Sequence, residues 1–513
     1  MKQSTGRLLG ARLLSRPAAL GIGMAVAVVA GISACGGSGG DSCHNVPPAT
    51  TVVGQPSFNL GLANPGGASG STLGAAQGSS AANDGTGPLY VADTANNRIL
   101  GYNKIPTGIA TNTYAGLTGT GQADFVLGQP DLKTTSSGTG PSGSIPYGLF
   151  FPSKVSIAII NKVPTYLLVA DSANNRVLIW GPGNLPTSAT TAPSIVIGQP
   201  GLSTRDSNYP PRVTSGGAGS TPTASNLSNP TAAYIGGSGD AVYLVVVDKG
   251  NNRVLIWNSV STLTSFAPAD VELGQAAISS AGVACTSNDV TKPAGFCFGT
   301  ALPAADTFPT GGSTYTLGMN SPSDVWTDGA NLVVSDTGNH RVLTWSNTIP
   351  TNNDQLEGNV IGFSAIGVGS QVGLSGNSGL SSPWGVGSDG VQSIFVGDTG
   401  NNRVLEFKGF FNSPQNGPKA TFVWGQQDFS HVTSNDPDQN NSVGDQRNNP
   451  ATNGITQGTM FNPQGVFADG SNLIVSDTGN SRVLIYPIVA PNGSLNSYGG
   501  VDGTDVDDTN YCY

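Results

Sequence analysis

The chain has 513 residues, with 21 Lys and Arg against 31 Asp and Glu, for a formal net charge of −10. Only 10% of residues are charged, while Gly numbers 73 and Pro 34. That composition excludes a long-helix protein and suits an all-β chain rich in turns and long connections. The acid excess excludes the broad basic surface that nucleic acids and anionic membranes require.

Residues 1–35 read as a signal peptide. Lys2, Arg7, Arg12 and Arg16 precede an apolar run from Leu20 to Ile32, the charged and apolar regions of a secretory leader. The run is too short and Gly-rich for a membrane span. It ends in Ile32-Ser33-Ala34-Cys35, which resembles the bacterial lipobox and implies lipidation of Cys35. Residues 36–50, opening Gly36-Gly37-Ser38-Gly39-Gly40, form a flexible tether. Gly36, rather than Asp, after the Cys resembles lipoproteins sent on to the outer membrane. The expected location is the bacterial cell envelope, with the membrane touched only through the lipid. Cleavage removes four positive charges and no negative one, so the net charge goes from −10 to −14.

Four cysteines remain, Cys43, Cys285, Cys297 and Cys512, and an even set outside the cytoplasm suggests disulfides. Cys285 and Cys297 bracket a short loop and are expected to pair. Cys43 and Cys512 lie near the chain ends and form the second expected pair. No C-x-x-C spacing points to zinc or redox use.

Six copies of one element follow. Each has Asp, then Asn three residues on, then Arg: Asp93 to Arg98, Asp171 to Arg176, Asp248 to Arg253, Asp336 to Arg341, Asp398 to Arg403 and Asp477 to Arg482. An aromatic stands four residues after each Arg: Tyr102, Trp180, Trp257, Trp345, Phe407 and Tyr486. In the copy from Leu332 to Trp345, two β-rich runs flank four turn residues, which predicts a tight hairpin. A third strand precedes it at Pro322 to Gly329, with partners at Pro383-Trp-Gly-Val386 and Pro463-Gln-Gly-Val466, weaker ones at Pro152 and Pro230, and Gln77-Gly78 in the first copy. A fourth strand follows five hairpins, as in Val126-Leu-Gly-Gln-Pro-Asp-Leu132 and Val196-Ile-Gly-Gln-Pro-Gly-Leu202. The sixth hairpin has none, but Val52-Val-Gly-Gln-Pro-Ser-Phe58 stands alone at the other end. Circular closure accounts for both facts, because it leaves no edge unpaired. The period is about 77 residues, long for a propeller blade, with the excess in loops.

The pattern Pro-x-Gly-Val followed by Leu-x-Val-x-Asp-Thr-Gly-Asn-x-Arg-Val resembles NHL repeats, over roughly residues 51–490. The resemblance implies an all-β, six-bladed β-propeller of four-stranded blades, followed by an acidic tail at 491–513. Ile105-Pro106-Thr107, Leu185-Pro186-Thr187, Ile349-Pro350-Thr351 and the Gly-Gln strands resemble a bacterial extracellular subgroup.

In such a propeller the hairpin turns share a face with the connections from each outer strand to the next blade. Those from Gln129 to Pro152, Gln199 to Pro230, Gln275 to Pro322 and Gln426 to Pro463 are long, which marks that face as the working one. Cys43 and Cys512 would both lie on the opposite face, where a bond between them locks the closure and the tether leaves. The repeated Asp and Arg are expected to be structural: each Asp accepting backbone N–H bonds in its own turn, each Arg meeting an acid or backbone carbonyl nearby. The repeated aromatics are expected to pack between blades.

Catalysis has thin support. The three histidines, His44, His340 and His431, sit in the tether, a turn and an insertion, which does not make a three-His zinc site. No Gly-x-Ser-x-Gly elbow, Walker loop or dinucleotide loop occurs. Asp502, Asp505, Asp507 and Asp508 lack EF-hand spacing, so no cofactor is expected, with calcium the one metal left open. The expectation is a monomeric binding or scaffold protein that recognises a protein, peptide or glycan on its loop face. The alternative is a hydrolase or lyase with an oxygen-ligated metal in the central channel, for which Asp324 and Asn462 are the nearest ligands.

Overall fold

The structure, a computed structural model, describes residues 49–81, 87–106, 121–138, 145–183, 185–209, 222–274, 318–353, 355, 358–363, 374–390, 393–436 and 454–488. They form six antiparallel four-stranded sheets arranged as the blades of a propeller. Blade 2 shows the plan: Pro152–Ile160, Val163–Asp171, Arg176–Trp180 and Ile195–Ile197, each paired to the next. The six first strands, Ala76–Ala81, Pro152–Ile160, Pro230–Ser238, Asp324–Thr327, Val386–Ser388 and Pro463–Ala468, touch their neighbours in a closed ring and so surround the axis.

Blade 6 is completed from the other end of the chain. Thr51–Val53 pairs antiparallel with Arg482–Pro487, setting Thr51 opposite Ile485 and Val53 opposite Val483. The outer side of Arg482–Pro487 is therefore paired, and the row of N–H and C=O groups that would otherwise invite aggregation there is covered.

Each blade is covered on both faces. The strands accordingly read as continuous apolar runs rather than alternations; Leu244–Val247 and Val254–Trp257 are buried throughout. Burial resolves into six clusters, each joining residues of two adjacent blades. The six aromatics after the Arg are at most 2% exposed, and each falls in a different cluster, shared with the preceding blade. Close approach of first strands needs glycine: a Cβ on Gly385 would lie 2.2 Å from the Gln464 carbonyl oxygen.

The turn between second and third strands is one 3-10 turn closed by a left-handed residue. The latter is Asn97, Asn175, Asn252, His340, Asn402 or Ser481, with φ from 50° to 55°. Asn tolerates that backbone best among non-glycine residues, which explains its prevalence there.

Candidate functional site

The repeated acids and arginines form six buried hubs. Each Asp oxygen Oδ2 accepts from the Arg Nε at 2.7–2.8 Å. It also accepts from the Asn three residues on, at 2.7–2.8 Å. The expectation that each Asp holds backbone N–H groups of its own turn is corrected. Oδ1 instead accepts a backbone N–H from the connection leading into the blade, at Gly74, Phe150, Ser228, Asn320, Ser381 and Phe461. The turn closes without it, through its own backbone hydrogen bond. Burial pushes the carboxyls of Asp93, Asp171, Asp248, Asp336 and Asp398 upward, opposed by the guanidinium and the hydrogen bonds.

The guanidinium then ties two loops together. Arg98 donates to the carbonyls of Ser69 and Thr72 in the incoming connection and of Leu132 in the outgoing one. Arg403 does the same with Gly376, Gly379 and Phe429, and Arg482 with Thr456, Thr459 and Phe58. In blade 3, Arg253 keeps the incoming carbonyls of Thr223 and Asn226 and also meets Glu272 at 2.9 Å. The Gln of the Gly-Gln motif adds a second tie. Gln55, Gln129, Gln199 and Gln426 each donate from Nε2 to the carbonyl of a left-handed turn residue and to the carbonyl seven residues on. The preceding Gly holds positive φ, 89° at Gly198, and a side chain there would meet Leu227. The motif is thus an anchor at the root of these four loops, a role the sequence showed only as repetition.

Adjacent blades are latched on the same face. The side chain of the left-handed turn residue accepts a backbone N–H just before the next first strand: Asn97 from Phe151, Asn175 from Asn229, Asn252 from Ser321 and Asn402 from Asn462, at 2.7–2.9 Å. In blade 4 the acceptor is His340 Nδ1, 2.8 Å from the Ser382 nitrogen. This bond exists only with Nδ1 unprotonated. We expect His340→Asn to keep the latch at every pH and His340→Leu to lose about 1–3 kcal/mol, the cost of an orphaned N–H. The melting-temperature gap between His340→Asn and the unmodified chain should widen as pH falls and the imidazole takes up its proton. A pH-independent gap would show that the latch contributes nothing.

Two chords cross the axis. The residue two after the strand-opening Pro or Ala is Gly78, Lys154, Ala232, Asp324, Gly385 or Gly465 in blades 1 to 6. Four small residues leave room for one charged pair: Lys154 donates to Asp324 Oδ1 over blade 3. Asp324 Oδ2 also accepts from the Val386 nitrogen at 3.0 Å. Burial pushes its carboxyl up, with the Lys154 ammonium the main opposing influence. Nearer the turn face, Lys249 reaches from blade 3 to Trp384 of blade 5, its ammonium 3.8 Å from the ring centre. Asp324 and Asn462 are not brought together: the first sits in this ion pair, and the second belongs to a latch. His431 pairs locally with Asp428 at 2.7 Å. Among the described residues no three His, Cys, Asp or Glu side chains converge as a metal set. Cys35, Cys43, Cys285, Cys297 and Cys512, His44, the acidic tail and most of the long connections lie outside the described residues.

No family model and no curated protein matches the chain. Among solved structures it is similar to virginiamycin B lyase from Staphylococcus aureus, at 9% identity over 81% of this chain and 95% of that one, with a TM-score of 0.33. It is also similar to the Cps50 (Swd1) β-propeller domain of Myceliophteria thermophila, at 9% identity over 86% and 100%, TM-score 0.36. A streptogramin B lyase structure aligns at 10% identity over 80% and 93%, TM-score 0.32.

Proposed function

We propose that the chain is an NHL-type propeller of the bacterial envelope, anchored through a lipid on Cys35, that binds a protein, peptide or glycan through the face bearing its unequal connections. One observation carries the reading. The Asp–Arg hubs of all six blades and the Gln anchors of four grip the roots of connections on a single face. Rigid roots under variable loops are how scaffolds present recognition surfaces, because the scaffold limits the ordering cost of binding.

The test replaces residues 276–317 by a short Gly/Ser loop and compares capture of defined envelope glycans and surface proteins. Capture should be lost while the melting temperature stays within a few degrees. Undiminished capture by this variant and by equivalents at the other three long connections would remove the reading. In the same cells, Cys35→Ser should move the chain from the membrane to the soluble fraction.

A further inference from the structure

Among the described residues one cation near the axis has no counter-charge. The position after the hub Asp is Thr94, Ser172, Thr337, Thr399 or Thr478 in five blades. Each of these hydroxyls donates to the carbonyl of the residue opening the next first strand, at 2.5–2.7 Å. Blade 3 has Lys249 there, and the lysine crosses to Trp384. The six hub arginines have their Asp, and Lys154 has Asp324. Among the described residues Lys249 pairs with no acid. Burial pulls its ammonium down to about 8, and the Trp ring offsets only part of that cost.

The surrounding positions also hold unused polar groups. The residue after each strand-opening Pro or Ala is Gln77, Ser153, Thr231, Ser323, Trp384 or Gln464. Ser153 and Ser323 are engaged by hydroxyls of the turns. Among these positions the Thr231 hydroxyl, which can donate, is buried without a partner. Thr231 follows Pro230, which faces Asp248 beside Lys249.

We propose that the channel mouth on the turn face binds a carboxylate, with the Lys249 ammonium as its counter-charge, the Thr231 hydroxyl as an adjoining hydrogen-bond donor, and Trp384 as the apolar floor. A single ammonium among neutral groups matches a monovalent carboxylate better than a phosphate dianion, which favours several cations or an N–H nest. The proposal takes the working face from the preceding reading but not its loops, so the two fail separately.

The purified full chain is titrated with sodium acetate, with a peptide ending in Gly-Gly-Glu and with inorganic phosphate, followed by tryptophan fluorescence and calorimetry. At pH 7 a carboxylate should saturate with a Kd on the order of millimolar, and Trp384→Phe should remove the fluorescence change. Saturation by acetate assigns a small free carboxylate; saturation by the peptide alone assigns a carboxylate borne on a polypeptide. Lys249→Met should weaken binding about ten- to hundred-fold, the loss expected for a charge-assisted hydrogen bond. Binding should fall between pH 7 and 9 in the unmodified chain and stay level in Lys249→Arg, which also guards against a misfolded Met variant. No saturation by either carboxylate, preference for phosphate, or binding indifferent to Lys249 overturns the proposal. The chain with residues 276–317 replaced should titrate unchanged.

Discussion

Arg403→Met should lower the stability of the propeller by about 3–5 kcal/mol, the cost of stranding a buried charge. The guanidinium satisfies Asp398 at 2.8 Å and the carbonyls of Gly376, Gly379 and Phe429, all without solvent at the arginine. A methionine of similar length fills the volume and supplies none of these donors. Arg403→Lys would do little better, because one ammonium cannot copy a fork aimed at both loops. The pH dependence carries the sign. Burial already raises the Asp398 carboxyl, and losing the arginine raises it further. A carboxyl whose folded value exceeds its unfolded one stabilises at low pH and loses that contribution as pH rises through the folded value. The deficit of Arg403→Met relative to the unmodified chain should therefore shrink as pH falls from 8 towards 5, measured by denaturant midpoints. A deficit that is constant across that range would mean the arginine acts through loop packing alone.

The same hub shows how far the sequence could be read. Spacing placed Asp398, Asn401 and Arg403 on one hairpin, because residues flanking a tight turn must meet. It did not show that Asp398 reaches the Ser381 backbone as well as Asn401 of its own turn, since that depends on where an irregular connection runs. The closing strand was legible for a different reason: an orphan Gly-Gln strand and a hairpin lacking one leave a single way to pair. The channel pair was not legible, because Lys154 and Asp324 stand 170 positions apart and meet only once the ring closes. A signal existed all the same. Laid out by blade, their position is otherwise Gly or Ala, just as Lys249 breaks a column of Thr and Ser. In a repeat protein the departures from the repeat point to the axis, where blades converge and six equal side chains would not fit.

Removing residues 1–58 should leave a chain that aggregates instead of a propeller with a slightly weaker sixth blade. Thr51–Val53 is short, and three paired residues alone would be a minor loss. The segment does more. Val52, Val53 and Phe58 are each at most 5% exposed, and burying such side chains contributes about 1.5–3 kcal/mol apiece. Gln55 donates to the Ser481 carbonyl, and Phe58 accepts from Arg482, so the truncation also leaves a hub half-satisfied. Together these losses rival the roughly 5–15 kcal/mol that holds a typical domain folded. They fall on the seam of the ring, and the outer edge of Arg482–Pro487 would be left bare to pair with another copy. A synthetic peptide covering residues 49–62, added in trans, should restore a monomeric species with a cooperative melt, because every contact of the closing strand is non-covalent. The peptide with Val52 and Val53 replaced by Asp should not. A truncated chain that is monomeric and melts within a few degrees of the full chain would show that the ring holds without its closing strand.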